Sequence, residues 1–487
     1  MSTKEQNIRR AKQIFGSAYH EMKILSEDEA RLANQERDKI LKLLSRAVNW
    51  GFKRSKIYLG ELSPGCLMCG RGKWSCMHIN VLCTSKCFFC IQNRKIKKEG
   101  SPKANEIVFD DPEDYVDYLE KFNFKGVGFS GGESMLVFEK MLFYIKKIRQ
   151  KLGKEIYIWI YTNGDLVNAD KLKSLKRAGL DEIRFNISAR NYDLRPIELA
   201  TNIINAVAVE IPAIPEDYEI LKRCVFKMQK IGVNYLNIHQ LIASKHNCRN
   251  FIDRNYTFVH TNFGLSVLES EMTALKLIKY ILDNGIKLPV NYCSSTYKYR
   301  FQGRGRRIRL IRYAQEKFEE KTNAGYIRRL SIKDSPANIK QIIKNLEGNR
   351  YLEELWSLNK NPTEFSIHPT LLRYLDFRKH NLIISYYNPN IKAKINSHDN
   401  CKEIKLNPKK SLFIKRTLIK REEFGPKVFD IFGKVFIEKT SSDDLLKYFS
   451  KKYNLNSEGI KEFKKDIKNI KREATLEQLE TGFPEIY

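Results

Sequence analysis

Residues 77–90 read Met77-His-Ile-Asn-Val-Leu-Cys83-Thr-Ser-Lys-Cys87-Phe-Phe-Cys90, a short apolar run followed by three cysteines spaced C-x3-C-x2-C. Three thiolates in one tight loop suit three irons of a cubane [4Fe–4S] cluster, which is held by cysteine sulfur. A structural zinc would want a fourth nitrogen or sulfur ligand, and none follows at the usual local spacing. The missing ligand leaves one iron open to a small chelating molecule.

From this loop onward the chain alternates strand and helix patterns. Strands are predicted at Met77–Leu82, Gly126–Phe129, Ile156–Tyr161, Glu182–Ile187, Ala206–Ile211, Tyr235–His239 and Lys287–Asn291. Amphipathic helices are predicted between them at Asp111–Phe122, Phe138–Leu152, Ala169–Ala178, Glu216–Ile231 and Ser270–Asn284. About six such repeats imply a parallel sheet, and that many units fit a partial (β/α)6 TIM-like barrel better than a lone nucleotide-binding half. Functional residues are then expected just after strand ends. Residues 1–60 read as a helical extension, with helices near 4–22 and 27–50. Leu32, Ile40, Leu43, Leu44 and Val48 form the apolar stripe of the second. Residues 61–303 make the core with an upstream cysteine segment, and 304–487 an α+β C-terminal domain. In that domain helices are expected at Tyr313–Lys321 and Ala337–Leu346, and β-runs at Leu382–Tyr387, Glu403–Leu406 and Leu412–Ile419. A further unit at Val428–Phe436 precedes helices at 442–452 and 457–470.

The 487 residues are 42% hydrophobic and 30% charged, enough apolar material to exclude wholesale disorder. No run approaches the ~18 apolar residues of a membrane helix. The start has no apolar h-region, so no signal peptide is expected and the expected location is the cytoplasm. A net charge of +30 suits a polyanion such as RNA, but spread through the chain it is equally the habit of a Lys-rich proteome. Of the ten cysteines, six lie between Cys66 and Cys90, a clustering that favours metal over disulfides.

The triplet resembles the hallmark of the radical SAM enzymes, which carry C-x3-C-x2-C after the first strand with an aromatic residue, here Phe89, before the last cysteine. The resemblance runs on through Gly131-Gly132-Glu133 after strand two, Tyr161-Thr162-Asn163-Gly164 after strand three and Arg184-Phe-Asn186-Ile-Ser188 after strand four. It covers about 77–291. It implies that Cys83, Cys87 and Cys90 hold a [4Fe–4S] cluster whose fourth iron binds S-adenosylmethionine (SAM). It also implies that a one-electron reductant drives cleavage of SAM to a 5′-deoxyadenosyl radical. Phe89, Gly131, Gly132, Glu133, Asn163, Asn186 and Ser188 are the implied cofactor contacts. The Gly-Gly backbone would approach the ligand without an intervening Cβ, and Glu133 would pair with the SAM ammonium. Ser134 stands where the family often has Pro, and the usual strand-five signature is absent. Glu210 there faces the ribose or pairs with a nearby Lys or Arg. The stretch Ile211-Pro-Ala-Ile-Pro215 resembles an archaeal group related to the glycyl-radical-enzyme activases.

Cys66, Cys69 and Cys76 precede the first strand. A strand separates Cys76 from Cys83 by about 20 Å at ~3.3 Å per residue, which places this set toward the N-terminal face, away from the chemistry. It suits a structural Zn2+ or an auxiliary [4Fe–4S] centre completed by Cys224, Cys248, Cys293 or Cys401; free thiols are the alternative. Cys224 fits a helix core. Cys293, just past the last strand, is the catalytic candidate: it ligates a cluster, quenches a substrate radical or packs. His239 and His246 follow a late strand, as structural residues or substrate contacts. Arg300, Arg304, Arg306, Arg307 and Arg309 around Gly303 and Gly305 read as a cationic loop, for an anion or for solvent.

A macromolecular substrate is expected, with peptide or protein slightly favoured, because Phe429–Asn469 resembles the winged-helix-like elements that recognise precursor peptides. RNA modification, activation of a glycyl radical enzyme and a non-enzymatic iron–sulfur protein are the alternatives.

Overall fold

The computed structural model describes residues 3–487 other than 94, 95, 97, 262, 263, 348–352, 375–379, 395–400, 426–429, 432, 439–443, 445–447, 449, 452–455, 460 and 462–473. Seven strands pair in parallel and in chain order: β1 (Trp74–Asn80), β2 (Gly126–Gly131), β3 (Tyr157–Thr162), β4 (Glu182–Phe185), β5 (Ala206–Pro212), β6 (Tyr235–His239) and β7 (Val290–Cys293). The sheet stays open. Lys103–Ala104 and Ile107–Val108 extend it antiparallel beyond β1, and Lys56–Leu59 and Asn49–Gly51 extend it beyond β7. The architecture is α/β, a partial TIM-like barrel.

Alternation along each strand sorts the side chains. Val127, Phe129, Ile158, Ile160, Val207, Val209, Leu236 and Ile238 are fully buried and turn toward the crossover helices. Their neighbours Trp159, Tyr161, Arg184, Glu210, Asn237, His239, Asn291 and Cys293 turn into the barrel interior, which is therefore polar. The crossovers are α4 (Pro112–Lys121), α5 (Phe138–Leu152), α6 (Ala169–Ala178), α7 (Arg195–Thr201), α8 (Tyr218–Lys230) and α10 (Leu268–Asp283), with a short α9 (Cys248–Ile252) ahead of α10. α6 shows why they form here. Asn168 caps its first turn by accepting from Lys171 N at 2.9 Å, and Gly179 ends it at φ +93°, which only glycine adopts cheaply.

The N-terminal helices are α1 (Thr3–Phe15) and α2 (Glu27–Leu44), the second closed by a Ser26–Glu29 capping box. The expected stripe on α2 is right at Leu44, which is buried, and wrong at Leu32 and Leu43, which are 55% and 65% exposed. The buried face is Ala30, Ala33, Arg37 and Leu44, equally helical in spacing. Small residues let α2 lie close to α10, and Arg37 pairs with buried Glu271 at 3.2 Å.

Two compact units result, 1–305 with 405–411 and 481–487, and 306–404 with 412–480. Residues 1–60 cluster with the barrel. The second unit is built on a sheet ordered Trp356–Leu358, Glu364–Ile367, Ile327–Lys333, Asn381–Lys392, Lys410–Phe424, Cys401–Asn407, with Glu320–Lys321 paired to Ile327–Lys333. Helix Pro336–Leu346 buries Ile339, Ile342 and Leu346 in a core with Leu330, Ile332, Phe365 and Ile384. The helix expected at Tyr313–Lys321 is instead the end of Arg304–Ala314, a turn and a strand. The arginine-rich segment is helical rather than a flexible loop. Arg300 and Arg307 are buried, donating to Gly482 O and Ala324 O, and Gly305 lies against Gly72 where a Cβ would come within 2.2 Å of Cα. Of the expected unit at Val428–Phe436, residues 430, 431 and 433–436 are described, with a π-helical turn at Gly433–Ile437, whereas most of the helices expected at 442–452 and 457–470 and of the winged-helix-like segment lies outside the described residues.

Candidate cluster and cofactor site

β1 ends at Asn80, and the chain runs on into the cysteine loop against the end of β2. Gly132 N donates to Asn80 O at 2.9 Å and Glu133 N to Leu82 O at 2.7 Å. A Cβ on Gly131 would lie 2.0 Å from Asn80 O, and one on Gly132 1.8 Å from Leu82 O. Gly131 also sits at φ +125°. The close approach of the chain that delivers Cys83 thus requires both glycines, a role the sequence reading did not assign. Asn80 completes the clamp, its side chain donating to Leu82 O at 3.1 Å and Glu133 O at 3.3 Å.

Glu133 is buried and its carboxylate is engaged by the protein. It accepts from Met135 N at 2.9 Å, Thr162 Oγ1 at 2.8 Å and Asn163 N at 2.7 Å. Burial pushes its pKa up, against the pull of those three donors. Its first role is to lock the end of β3 to the end of β2. Asn163, so fixed, donates from Nδ2 to Thr84 Oγ1 at 2.8 Å and Ser85 Oγ at 2.7 Å, inside the cysteine triplet. The sequence motifs of strands two and three therefore act together as the holder of the loop.

The loop's other flank is apolar. Phe88 and Phe89 pack on a core containing Phe251, Phe258 and Leu265, and Asn250 and Asn247 donate to their carbonyls at 2.8 and 2.9 Å. Phe89 thus anchors the loop. Cys83 is exposed, and Cys87 and Cys90 are half-buried. Ser85 N lies 3.4 Å from Cys83 Sγ as a donor. Asn186 and Ser188 occupy the turn after β4, hydrogen-bonded to each other at 2.6 Å. Cys83, Cys87, Cys90, Gly131–Glu133, Asn163, Asn186 and Ser188 all lie beyond the C-terminal ends of β1 to β4, on the rim where such barrels place their chemistry.

The interior beneath this rim is a continuous polar network. Arg184 donates to Glu182 and Glu210, each at 2.8 Å, and to Ser63 Oγ at 3.1 Å, with its guanidinium 4.9 Å over the Trp159 ring. Asn237 also donates to Glu210, at 3.2 Å. Glu210 therefore pairs with arginine, the second of the two readings. Burial pushes its carboxyl up, but Arg184 overrules this and holds it below its usual value. His239 is pushed down to about 4 by burial and then by the nearby Lys298 charge, against Glu210. His246 is exposed.

The helix carrying Cys66 and Cys69 lies toward the N-terminal end of the barrel, as expected, and plugs it from within. Pro64–Gly70 forms helix α3, which closes the bottom of the barrel: a Cβ on Gly65 would meet Arg184, Glu182 and Trp159, and one on Gly126 would meet Met68. α3 turns Cys66 inward, to 3.5 Å from Asn237 Oδ1. Cys76 is the third residue of β1 rather than a residue before it, and burial pushes its thiol up to about 12. Its charged neighbours are Glu210 and Arg184; Cys66 shares both and Cys69 shares Arg184, but these two also act on Cys293 and Lys56. Cys224 is core of α8, as expected, and none of the ten cysteines forms a disulfide. Among the described residues no three Cys, His, Asp or Glu side chains already stand at metal-ligand spacing. Lys56, absent from the sequence reading, donates to Cys293 Sγ at 2.8 Å from a fully buried position. Only a lysine in a strand otherwise reading Ile-Tyr-Leu hinted at it.

The chain is thus an open (β/α) barrel with three thiols in a clamped loop at its C-terminal rim. The profile of the radical SAM superfamily matches residues 77–239. A Methanocaldococcus jannaschii protein, provisionally named as a glycyl-radical enzyme activating enzyme, is 30% identical over 315 residues, 62% of this chain and 81% of that protein. The chain belongs to the radical SAM superfamily. Among solved structures, SAM-bound SuiB from Streptococcus suis is 12% identical over 60% of this chain and 61% of its own, at a TM-score of 0.32. Coproporphyrinogen III oxidase (HemN) from Escherichia coli is 13% identical over 50% and 61%, at 0.28. Both matches span less than two thirds of the solved chain, and at these scores neither informs the function. The superfamily implies an enzyme that uses a [4Fe–4S] cluster and SAM. No helix among the described residues is long and apolar enough to cross a membrane.

Proposed function

We propose that Cys83, Cys87 and Cys90 hold the [4Fe–4S] cluster, that SAM binds on the adjoining rim, and that the radical it yields modifies a protein or peptide partner. The donor set fits: three accessible thiols in one irregular loop, with Cys83 Sγ accepting from a backbone N–H. When bound, cluster and SAM supply one-electron cleavage to methionine and a hydrogen-abstracting 5′-deoxyadenosyl radical. The chain's own residues do the rest. Gly131, Gly132 and Asn80 set the backbone of the loop, and Glu133 fixes Asn163 so that Asn163 holds Thr84 and Ser85. Phe88 and Phe89 close the loop's inner flank against water. Asn186 and Ser188 offer polar groups to the cofactor across the rim, and the interior below, lined by Glu210, His239 and Tyr161, orients the reacting group.

The observation that carries this reading is the clamp: two motifs from separate strands hold the cysteine loop at the barrel rim. A protein partner is favoured because the relative named for activating an enzyme matches over most of its length. The net charge of +30 favours RNA instead. Anaerobically reconstituted protein, given SAM and reductant, should release 5′-deoxyadenosine. Deuterium carried into that product from a deuterated protein fraction supports the first substrate class, and from deuterated RNA the second. No deoxyadenosine from protein carrying about four irons would refute the proposal.

A further inference from the structure

Cys66 and Cys69 on α3 come close to Cys293, the last residue of β7 and more than 220 residues away in the chain, in the barrel interior. Cys66 Sγ and Asn291 Nδ2 both donate to Asn237 Oδ1, and Asn291 Oδ1 accepts from Cys293 Sγ at 3.3 Å. Cys69 Sγ accepts from Gln302 Nε2 at 2.6 Å and Cys293 Sγ from Lys56 Nζ at 2.8 Å.

Two further observations mark the place. Lys56 is 0% exposed, lies 4.1 Å over the Tyr297 ring, and has no carboxylate within ion-pair distance among the described residues. Buried lysines are almost always paired, so this one lacks its anion. The Tyr297 hydroxyl, on a side chain 1% exposed, has no hydrogen-bond partner among the described residues and stands where a Cβ on Gly70, next to Cys69, would be 2.4 Å away.

We propose that Cys66, Cys69 and Cys293 ligate a second metal centre, a Zn2+ ion or an iron–sulfur cluster, with Lys56 as its counter-charge. Three thiolates around Zn2+, or around a [4Fe–4S]2+ core, leave one negative charge, which Lys56 balances. Gln302 and Lys56 already direct N–H donors at sulfur, the second sphere a thiolate ligand needs. Binding releases the three thiol protons. Their loss ends the S–H bonds that hold Cys66 and Cys293 on the Asn237 and Asn291 oxygens and frees both sulfurs to turn to a shared ion. The Tyr297 hydroxyl is placed to donate to a thiolate or to a fourth ligand. Cys76, included in the set expected from sequence, is left out.

The test is independent of SAM cleavage. Full-length C83A/C87A/C90A protein, lacking the rim set, is stripped with chelator and titrated with Co2+ as the probe. We expect one Co2+ per chain with thiolate-to-cobalt charge-transfer absorption, reduced by about a third in each of C66A, C69A and C293A and unchanged in C76A. Lys56→Met should weaken binding about 10–100-fold. Zinc, iron and sulfide in the protein as isolated distinguish the two metals. Near-UV circular dichroism keeps unfolded variants out of the comparison, and C293S replaces C293A if that fails. No Co2+ bound by folded protein, binding indifferent to C293S, or binding lost in C76A would overturn the proposal.

Discussion

Two groups of cysteines in one barrel differ in the surroundings the fold provides. Cys83, Cys87 and Cys90 are exposed or half-exposed, and the loop bearing them is fixed almost entirely through its backbone and its Thr, Ser and Phe side chains. Cys66, buried, and Cys69 and Cys293, half-buried, come from helix and strand into the barrel interior, where Asn237, Gln302 and Lys56 bond to the sulfurs themselves. A thiol presented on a loop whose backbone is held can take up a cofactor that also binds an incoming small molecule. A thiol held at its sulfur by neighbouring side chains suits a centre that does not turn over. Presentation, more than spacing, separates the two.

The comparison can be broken most sharply at the rim. Cys87→Ala should cut 5′-deoxyadenosine release at least ~1,000-fold in folded protein, as loss of a cofactor ligand does; retained release would end the assignment. Gly132→Ala drives a Cβ into Leu82 O and should cost roughly 3–5 kcal/mol, seen as a lower anaerobic Tm together with lost cluster iron. Normal stability there would show that the clamp yields. Asn163→Ala removes only the tie to Thr84 and Ser85, and a drop of about 10–100-fold in activity or cluster retention is expected with Tm little changed.

Glu133→Gln turns a carboxylate that accepts three donors into an amide that confronts some of them with N–H. A loss of about 1–3 kcal/mol is expected in denaturant titrations without SAM, and no change would return Glu133 to a purely ligand-binding role. The smallest effect concerns the interior. His239 titrates near 4 in the fold and near 6.5 unfolded, so the unfolded chain binds more protons between those values. Stability should be full above pH 6.5 and fall by about 1–2 kcal/mol toward pH 4, and His239→Gln should flatten that slope in thermal unfolding.

The sequence by itself determined the seven parallel strands, five of the helices between them and the spacing of the cysteine triplet, but not the short helices α7 and α9. Strand and helix periods are local, and a C-x3-C-x2-C spacing carries its chemistry without distant help. It placed Leu32 and Leu43 beside Leu44 on the buried face of α2, because that spacing and the spacing of Ala30, Ala33, Arg37 and Leu44 are equally helical and only the close approach to α10 and the Arg37–Glu271 pair decide between them. It did not show that Gly131, Gly132 and Glu133 clamp the chain that delivers Cys83, because that chain lies about 50 residues away. Only the tertiary structure could set α3 inside the bottom of the barrel, bring Cys293 and Lys56 to Cys66 and Cys69, and leave Cys76 apart. Which side chains converge inside a barrel depends on strand register and on what plugs its end, and neither is written in the spacing of any one segment.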